Sequence, residues 1–283
     1  MRLTALLTCV VCVSWAGSPQ LDEARRLYGV TDFQRSLTVL NAIPDKTADV
    51  YALIGRNYYM MTDFRNAAEA FEKAFNQQPS SSEYALWLAR SFGRRAETSN
   101  VFSAPGFASK ARQYFEKACQ LNPRNVEALS DLFEYYLDAP GFLGGGYDKA
   151  QRVAAQLDSV DPSEGHWAMF RLAEQHKDFS RAEEQLRKAV EAAPREIGKL
   201  IELARFLAKH GRYQEADQSI DRAQQVAPNA ARLIFVRADI YIKTGRNLGQ
   251  AKDLLQRYLG SNLTPDDPPR AEAARLLRKI SGG

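Results

Sequence analysis

Apolar and small residues recur along most of this chain at three- and four-residue spacing, the period of a helix with one buried face. The clearest register is an alanine followed twelve residues later by a proline, at Ala67/Pro79, Ala111/Pro123, Ala150/Pro162, Ala182/Pro194 and Ala216/Pro228. In four of these a second alanine sits seven past the first: Ala74, Ala118, Ala189 and Ala223. A large apolar residue lies between, as at Phe71, Phe115, Leu186 and Ile220. Small residues at i and i+7 with a bulky one at i+4 share one helix face. The proline then ends the helix, because it disfavours helical geometry before it and has no N–H to donate. A unit repeated in this way predicts an array whose members bury their apolar faces on their neighbours.

The segment Tyr51-Ala-Leu-Ile-Gly55-Arg-Asn-Tyr58, continued by Ala67, Phe71, Ala74 and Pro79, resembles a tetratricopeptide repeat. So does the series Leu200, Leu203, Ala204, Leu207, Gly211, Tyr213, Ala216, Ile220, Ala223, Pro228. The resemblance covers nearly all of the chain after residue 20. It implies an all-α fold, a right-handed α-solenoid of antiparallel helix pairs, and for most of the family a scaffold that holds proteins or peptides. The same fold serves many roles, so the resemblance specifies architecture more closely than activity. The units predicted are a degenerate pair at 21–46, full repeats at 48–81, 82–125, 126–162, 163–196, 197–230 and 231–265, and a closing helix at 268–280. Gly55, Ala89, Ala204 and Ala238 are the small residues expected where paired helices cross. Turns are expected at Asp32-Phe33, Asp63-Phe64, Asp178-Phe179, Gly211 and Gly245.

The first residues break this pattern. Arg2 precedes an apolar run from Leu3 to Ala16, and Ser14 and Ala16 place small residues before a cut after Ala16. This is the layout of a signal peptide, residues 1–16, and predicts an exported mature chain of 17–283, periplasmic or secreted. Cys9 and Cys12 would leave with it, so Cys119 remains alone and is expected to pack as a small hydrophobe. No later stretch has the roughly 20 apolar residues of a membrane span. A formal charge of +4 on 283 residues gives no electrostatic case for a nucleic-acid partner.

Two neighbouring units exceed the repeat length, by about ten and about five residues relative to the family's unit. Both contain Ala-Pro-Gly-Phe, ending at Phe107 and at Phe142, and the second continues into Gly144, Gly145 and Gly146. Equivalent loops of stacked units lie on one edge, so the two are expected to form a joint rim with both Phe rings buried. This pair of loops is similar to those of exported bacterial repeat proteins, a likeness that implies no activity. The triple glycine lacks the Gly-Lys-Ser/Thr ending of a phosphate loop and is read as a turn. The three histidines are scattered with no ligand spacing, and no nucleophile–base set is present, so no metal, cofactor or catalytic residue is expected.

The resemblance also implies that the first helix of each pair lines a concave groove. Taking the residue after each crossing position as groove-facing gives Arg56, Arg90, Glu134, Arg171, Arg205 and Asp239, with Gly165 expected to shorten the helix that carries Arg171. One turn earlier stand Ala52, Leu86, Ser130, Trp167, Ile201 and Phe235. The candidate partner site is therefore an arginine row, Arg56, Arg90, Arg171 and Arg205, beside Leu86, Trp167, Ile201 and Phe235. Arginine presents a planar fork suited to carboxylates, though acids on adjacent helices compete for it. The family's carboxylate clamp has Asn where Arg56, Arg90 and Arg205 stand, so that manner of binding a C-terminal tail is not expected here. Two functions fit: a non-catalytic scaffold for a protein or peptide, and a binding protein for a small acidic or amphipathic ligand such as a lipid or organic acid. Reversing the charge of Arg56, Arg90 and Arg205 is expected to weaken partner binding without unfolding the array.

Overall fold

The computed structural model describes residues 19–281; the expected leader, residues 1–16, lies outside the described residues. Among these are fifteen α-helices, one short 3-10 turn and no strand. The helices run in consecutive antiparallel pairs. They are α1 (Pro19–Gly29) with α2 (Phe33–Asn41), α3 (Ala48–Met60) with α4 (Phe64–Gln77), and α5 (Ser82–Thr98) with α6 (Ala104–Leu121). Then come α7 (Val126–Asp138) with α8 (Tyr147–Val160), α9 (Pro162–Gln175) with α10 (Phe179–Ala192), α11 (Ile197–Lys209) with α12 (Tyr213–Val226), and α13 (Ala231–Thr244) with α14 (Leu248–Leu259). A single helix, α15 (Arg270–Ser281), packs on α14 and α13. It starts two residues later than the pattern suggests, because Pro268 and Pro269 both precede it and Pro269 supplies the first carbonyl acceptor, to Glu272 N–H at 2.9 Å.

Each helix packs first on its partner and then on the next pair, which is what the repeated alanine face permits. Ala67, Ala74, Ala111, Ala118, Ala182, Ala189 and Ala223 are all completely buried, and so are the crossing residues Ala89, Ala204 and Ala238. The degenerate first pair buries Leu21, Ala24, Leu27, Leu37, Leu40 and Ile43. At Gly55 the approach is closest, since an added Cβ would stand 2.7 Å from the fully buried ring of Phe71. Gly165 lies inside α9 and does not shorten it; its bare Cα lets α9 close to the backbone at Asp158 of α8.

The Asp-Phe turns work as caps. Asp32, Asp63 and Asp178 accept hydrogen bonds from Arg35 N–H, Asn66 N–H and Arg181 N–H at 3.3, 3.1 and 3.1 Å. The residue before each is forced into the left-handed region, Thr31 at φ 61°, Thr62 at 62° and Lys177 at 59°, where the equivalent turn of a later unit uses Gly211. A left-handed side chain costs about 1–2 kcal/mol, part of which glycine returns as chain entropy. Thr62→Gly and Lys177→Gly are each expected to raise stability by about 0.5 kcal/mol, read as a higher urea midpoint with unchanged slope.

The two long segments differ from expectation. The extra residues of the 82–125 unit form no long loop: they lengthen α5 to 17 residues and α6 to 18, against 13 and 14 in α3 and α4. Ala104-Pro-Gly-Phe107 is the first turn of α6, where a proline has no backbone partner to lose. Phe107 is half-buried against Phe92, with ring centroids 6.4 Å apart, and lies under Arg95 at 4.0 Å. The second copy cannot continue as a helix, because Gly144 sits at φ 90° and a side chain on Gly145 would meet Ala139 O at 1.8 Å. It makes a 3-10 turn, Gly141–Leu143, fastened by Tyr135 Oη–H to Leu143 O (2.9 Å), Gly146 N–H to Tyr136 O (2.8 Å) and Lys149 Nζ to Gly144 O (2.8 Å). This turn packs on α6 beside Arg112, but Phe142 points outward, 83% exposed. The matched pair of buried Phe rings does not form, because identical tetrapeptides followed by different residues take different backbones.

Candidate functional site

The first helices of successive pairs are joined by ion pairs rather than lined by free arginines. Arg56 of α3 pairs with Glu83 of α5. Arg90 of α5 reaches Asp131 (2.5 Å) and Glu127 (3.1 Å) of α7. Arg171 of α9 pairs back to Glu134 of α7 and approaches Asp138 at 3.7 Å. Glu164 and Glu174 of α9 hold Lys199 (2.6 Å) and Lys209 (2.7 Å) of α11. Arg205 alone of the proposed row bridges no helices; it turns to Glu202 on its own helix. On α7 the acids Glu127, Asp131, Glu134 and Asp138 advance by four, three and four residues, so one helical stripe faces cations on both flanks.

Two indoles sit on this ladder. The Arg56 and Arg90 guanidinium carbons each lie 5.0 Å from the ring of Trp87, which also stacks on Phe71 at 5.6 Å. Trp167 stands between Arg171 at 5.7 Å and Lys199 at 5.0 Å. A cation over an aromatic face is attracted to its negative quadrupole, so each indole is held by charges that themselves link helices. Leu86, Ile201 and Phe235 are all buried in the core, Phe235 against Tyr258, and of the three only Leu86 also borders a hollow of the groove face, beside Arg56 and Trp87. Neighbouring helices cover both flanks of a first helix, which leaves open only a strip narrower than the assumed one. Trp87, one position past Leu86, occupies that strip.

The ladder borders an open cleft of about 630 Å³ walled by Tyr59, Arg90, Asp131, Glu134, Tyr135 and Trp167. Ala108 of the lengthened α6 and Ala139 of the following turn also line it, so both enlarged units border the cleft. A second hollow, about 840 Å³, lies over Arg56, Trp87 and Arg90, and Pro265 and Asp266 from the far end of the chain form its opposite side. Burial pushes Asp131 and Glu134 above the usual carboxylate range, with Arg90 and Arg171 pulling the other way. An acid raised in the folded state takes up its proton before the unfolded chain does, so it favours folding as pH falls through that window. The stability of the parent relative to Glu134→Gln is therefore expected to rise between neutral pH and about pH 4.5, measured by paired urea titrations. Charge reversal in the row is not silent either: Arg90→Glu would set a third acid beside Asp131 and Glu127.

The tetratricopeptide repeat family matches this chain at residues 53–95 and 201–278. Among solved structures, the chain is similar to a thermophilic TPR protein of Thermus thermophilus, with 18% identity, 66% of this chain and 97% of that one covered, and a TM-score of 0.54. It is similar to a tetratricopeptide repeat protein of Parabacteroides merdae, with 13% identity, 93% and 98% covered, and a TM-score of 0.57. A chain of the APC/C hetero-tetramer Cut9–Hcn1 matches at 14% identity and TM-score 0.51, over 94% of this chain and 49% of that one. At these identities the likeness is one of fold. No curated protein matches the chain. Paired helices, the alanine-based crossings and these matches agree: the chain carries tetratricopeptide repeats, matched at 53–95 and 201–278, within a solenoid of that fold.

Proposed function

We propose that this protein is a non-catalytic scaffold that holds a polypeptide segment along its first-helix groove, at the cleft between α5, α7 and α9. The repeat fold is one of protein–protein interaction scaffolds. The observation that supports the site is the open cleft itself, which combines Tyr59, Tyr135 and Trp167 with ordered, opposed charges. Aromatics and arginine are the residue types that dominate interface energy. Its lining counts four acids, Glu97, Asp131, Glu134 and Asp138, against two arginines, Arg90 and Arg94. Even with Arg171 added the acids are in excess, so a segment bearing basic and apolar side chains suits it better than a small acidic ligand. We also propose, from the sequence, that the chain is exported after cleavage near Ala16; the intact mass of periplasmic or secreted material tests this.

A photo-crosslinking residue at Arg94 or Asp138, both lining the cleft, is expected to trap a polypeptide in cells, while one at Glu184 on α10 traps none. Equal trapping at all three positions, or none at the cleft, would overturn the groove assignment.

A further inference from the structure

We propose that the tip of the α5–α6 hairpin is a peripheral anchor for an anionic lipid surface. The hairpin is the longest pair of the array, and each of its helices outruns α3 and α4 by four residues. At about 1.5 Å per residue its tip stands roughly 6 Å beyond the tip of the preceding pair. There Val101 is 80% and Phe102 93% exposed. The exposure is built into an ordered turn: the Asn100 carboxamide oxygen accepts from Phe102 N–H and Ser103 N–H, both at 3.1 Å. A turn fastened in this way holds its apolar side chains outward in water, where they gain nothing.

The charge around the tip selects the occupant. Between residues 94 and 112 stand Arg94, Arg95, Lys110 and Arg112 against one acid, Glu97, a balance of four minus one. Arg94 is held by Glu97 and Arg112 by Glu116. Arg95 and Lys110 pair with no carboxylate among the described residues and lie instead over the rings of Phe107, at 4.0 Å, and Phe92, at 5.1 Å. Apolar side chains at a protruding point with uncompensated cations behind them match the layering of a bilayer edge, acyl chains below anionic headgroups. The area argues against a protein partner. An aromatic ring buries about 150–250 Å², so Val101 and Phe102 supply well under the roughly 800 Å² per side of a stable protein interface. Phe142, on the equivalent edge of the next unit, adds a second exposed ring. No helix among the described residues is long and apolar enough to cross a membrane, so the contact proposed is interfacial.

The apolar Leu3–Ala16 run could itself carry the full chain to lipid, so the readout must be local. In the chain bearing Cys9→Ser and Cys12→Ser, an environment-sensitive fluorophore is placed at Val101→Cys, or at Glu184→Cys as a control. Cys119 is half-buried and burial pushes its thiol up to about 12, so it labels slowly. With vesicles of phosphatidylcholine and phosphatidylglycerol, the label at 101 is expected to shift to the blue and the label at 184 to stay unchanged. Adding Phe102→Asp should weaken the partitioning about tenfold or more, and high salt should weaken it as well. No shift on these vesicles overturns the proposal. A shift of equal size on phosphatidylcholine alone overturns the assignment to an anionic surface. A shift that needs no lipid and grows with protein concentration makes the tip a protein contact instead.

Discussion

Phe71→Ala is expected to lower the stability of the array by about 3–5 kcal/mol, the range for removing a fully buried aromatic ring. Phe71 on α4 is completely buried, fills the space left by Gly55 of α3 and stacks on Trp87 of α5 at 5.6 Å. One ring therefore joins three helices of two consecutive units, and its loss opens a cavity that rigid helix backbones cannot close. A double-mutant cycle isolates the fit. Gly55→Ala in the parent chain drives a methyl to 2.7 Å from ring carbons and is expected to destabilise. In the Phe71→Ala background the same change meets open space and gains helix propensity, so it should stabilise by about 0.5–1 kcal/mol. Equal effects of Gly55→Ala in the two backgrounds, measured by urea unfolding, would refute the contact.

The second large effect concerns the ladder. Lys199→Met is expected to cost about 3 kcal/mol. Lys199 is 7% exposed and Glu164 18% exposed, and their 2.6 Å contact joins α11 to α9. Methionine keeps the aliphatic stem against Trp167 but leaves Glu164 largely buried without its cation. Removing one partner of a buried pair costs about 3–5 kcal/mol, and the lower figure applies because Glu164 keeps some contact with water. Replacing both, with Lys199→Met and Glu164→Leu, removes the stranded charge and should recover most of the loss. If the double variant is as unstable as the single one, the ion pair is not what holds these helices in register.

The helices, their pairing and their crossings were legible because a solenoid is made of local contacts. Ala67, Phe71 and Ala74 lie within two turns of one helix, and the residues they touch are a few tens of positions away. Helical period and proline punctuation therefore carry nearly all of that information. The shared repeat phase of Arg56, Arg90 and Arg171 was legible for the same reason. Their partners were not. Whether Arg90 meets solvent or Asp131 depends on how far α5 and α7 approach and on the rotamers of two long side chains, and neither leaves a mark on periodicity. The tertiary structure likewise buried Leu86 and left its neighbour Trp87 half-buried beneath two arginines, since the open width of a helix depends on both neighbours at once. It also gave one Ala-Pro-Gly-Phe to a helix and the other to a turn, because downstream residues, Ala108 to Lys110 in one case and Gly144 to Gly146 in the other, decide whether a helix can continue. The sequence by itself determined the repeat and the phase of its buried face. Only the packed structure decided that the charges neutralise one another across helices, and that Phe102 and Phe142 remain in solvent, because side-chain pairing and exposure depend on distances between elements that no local pattern encodes.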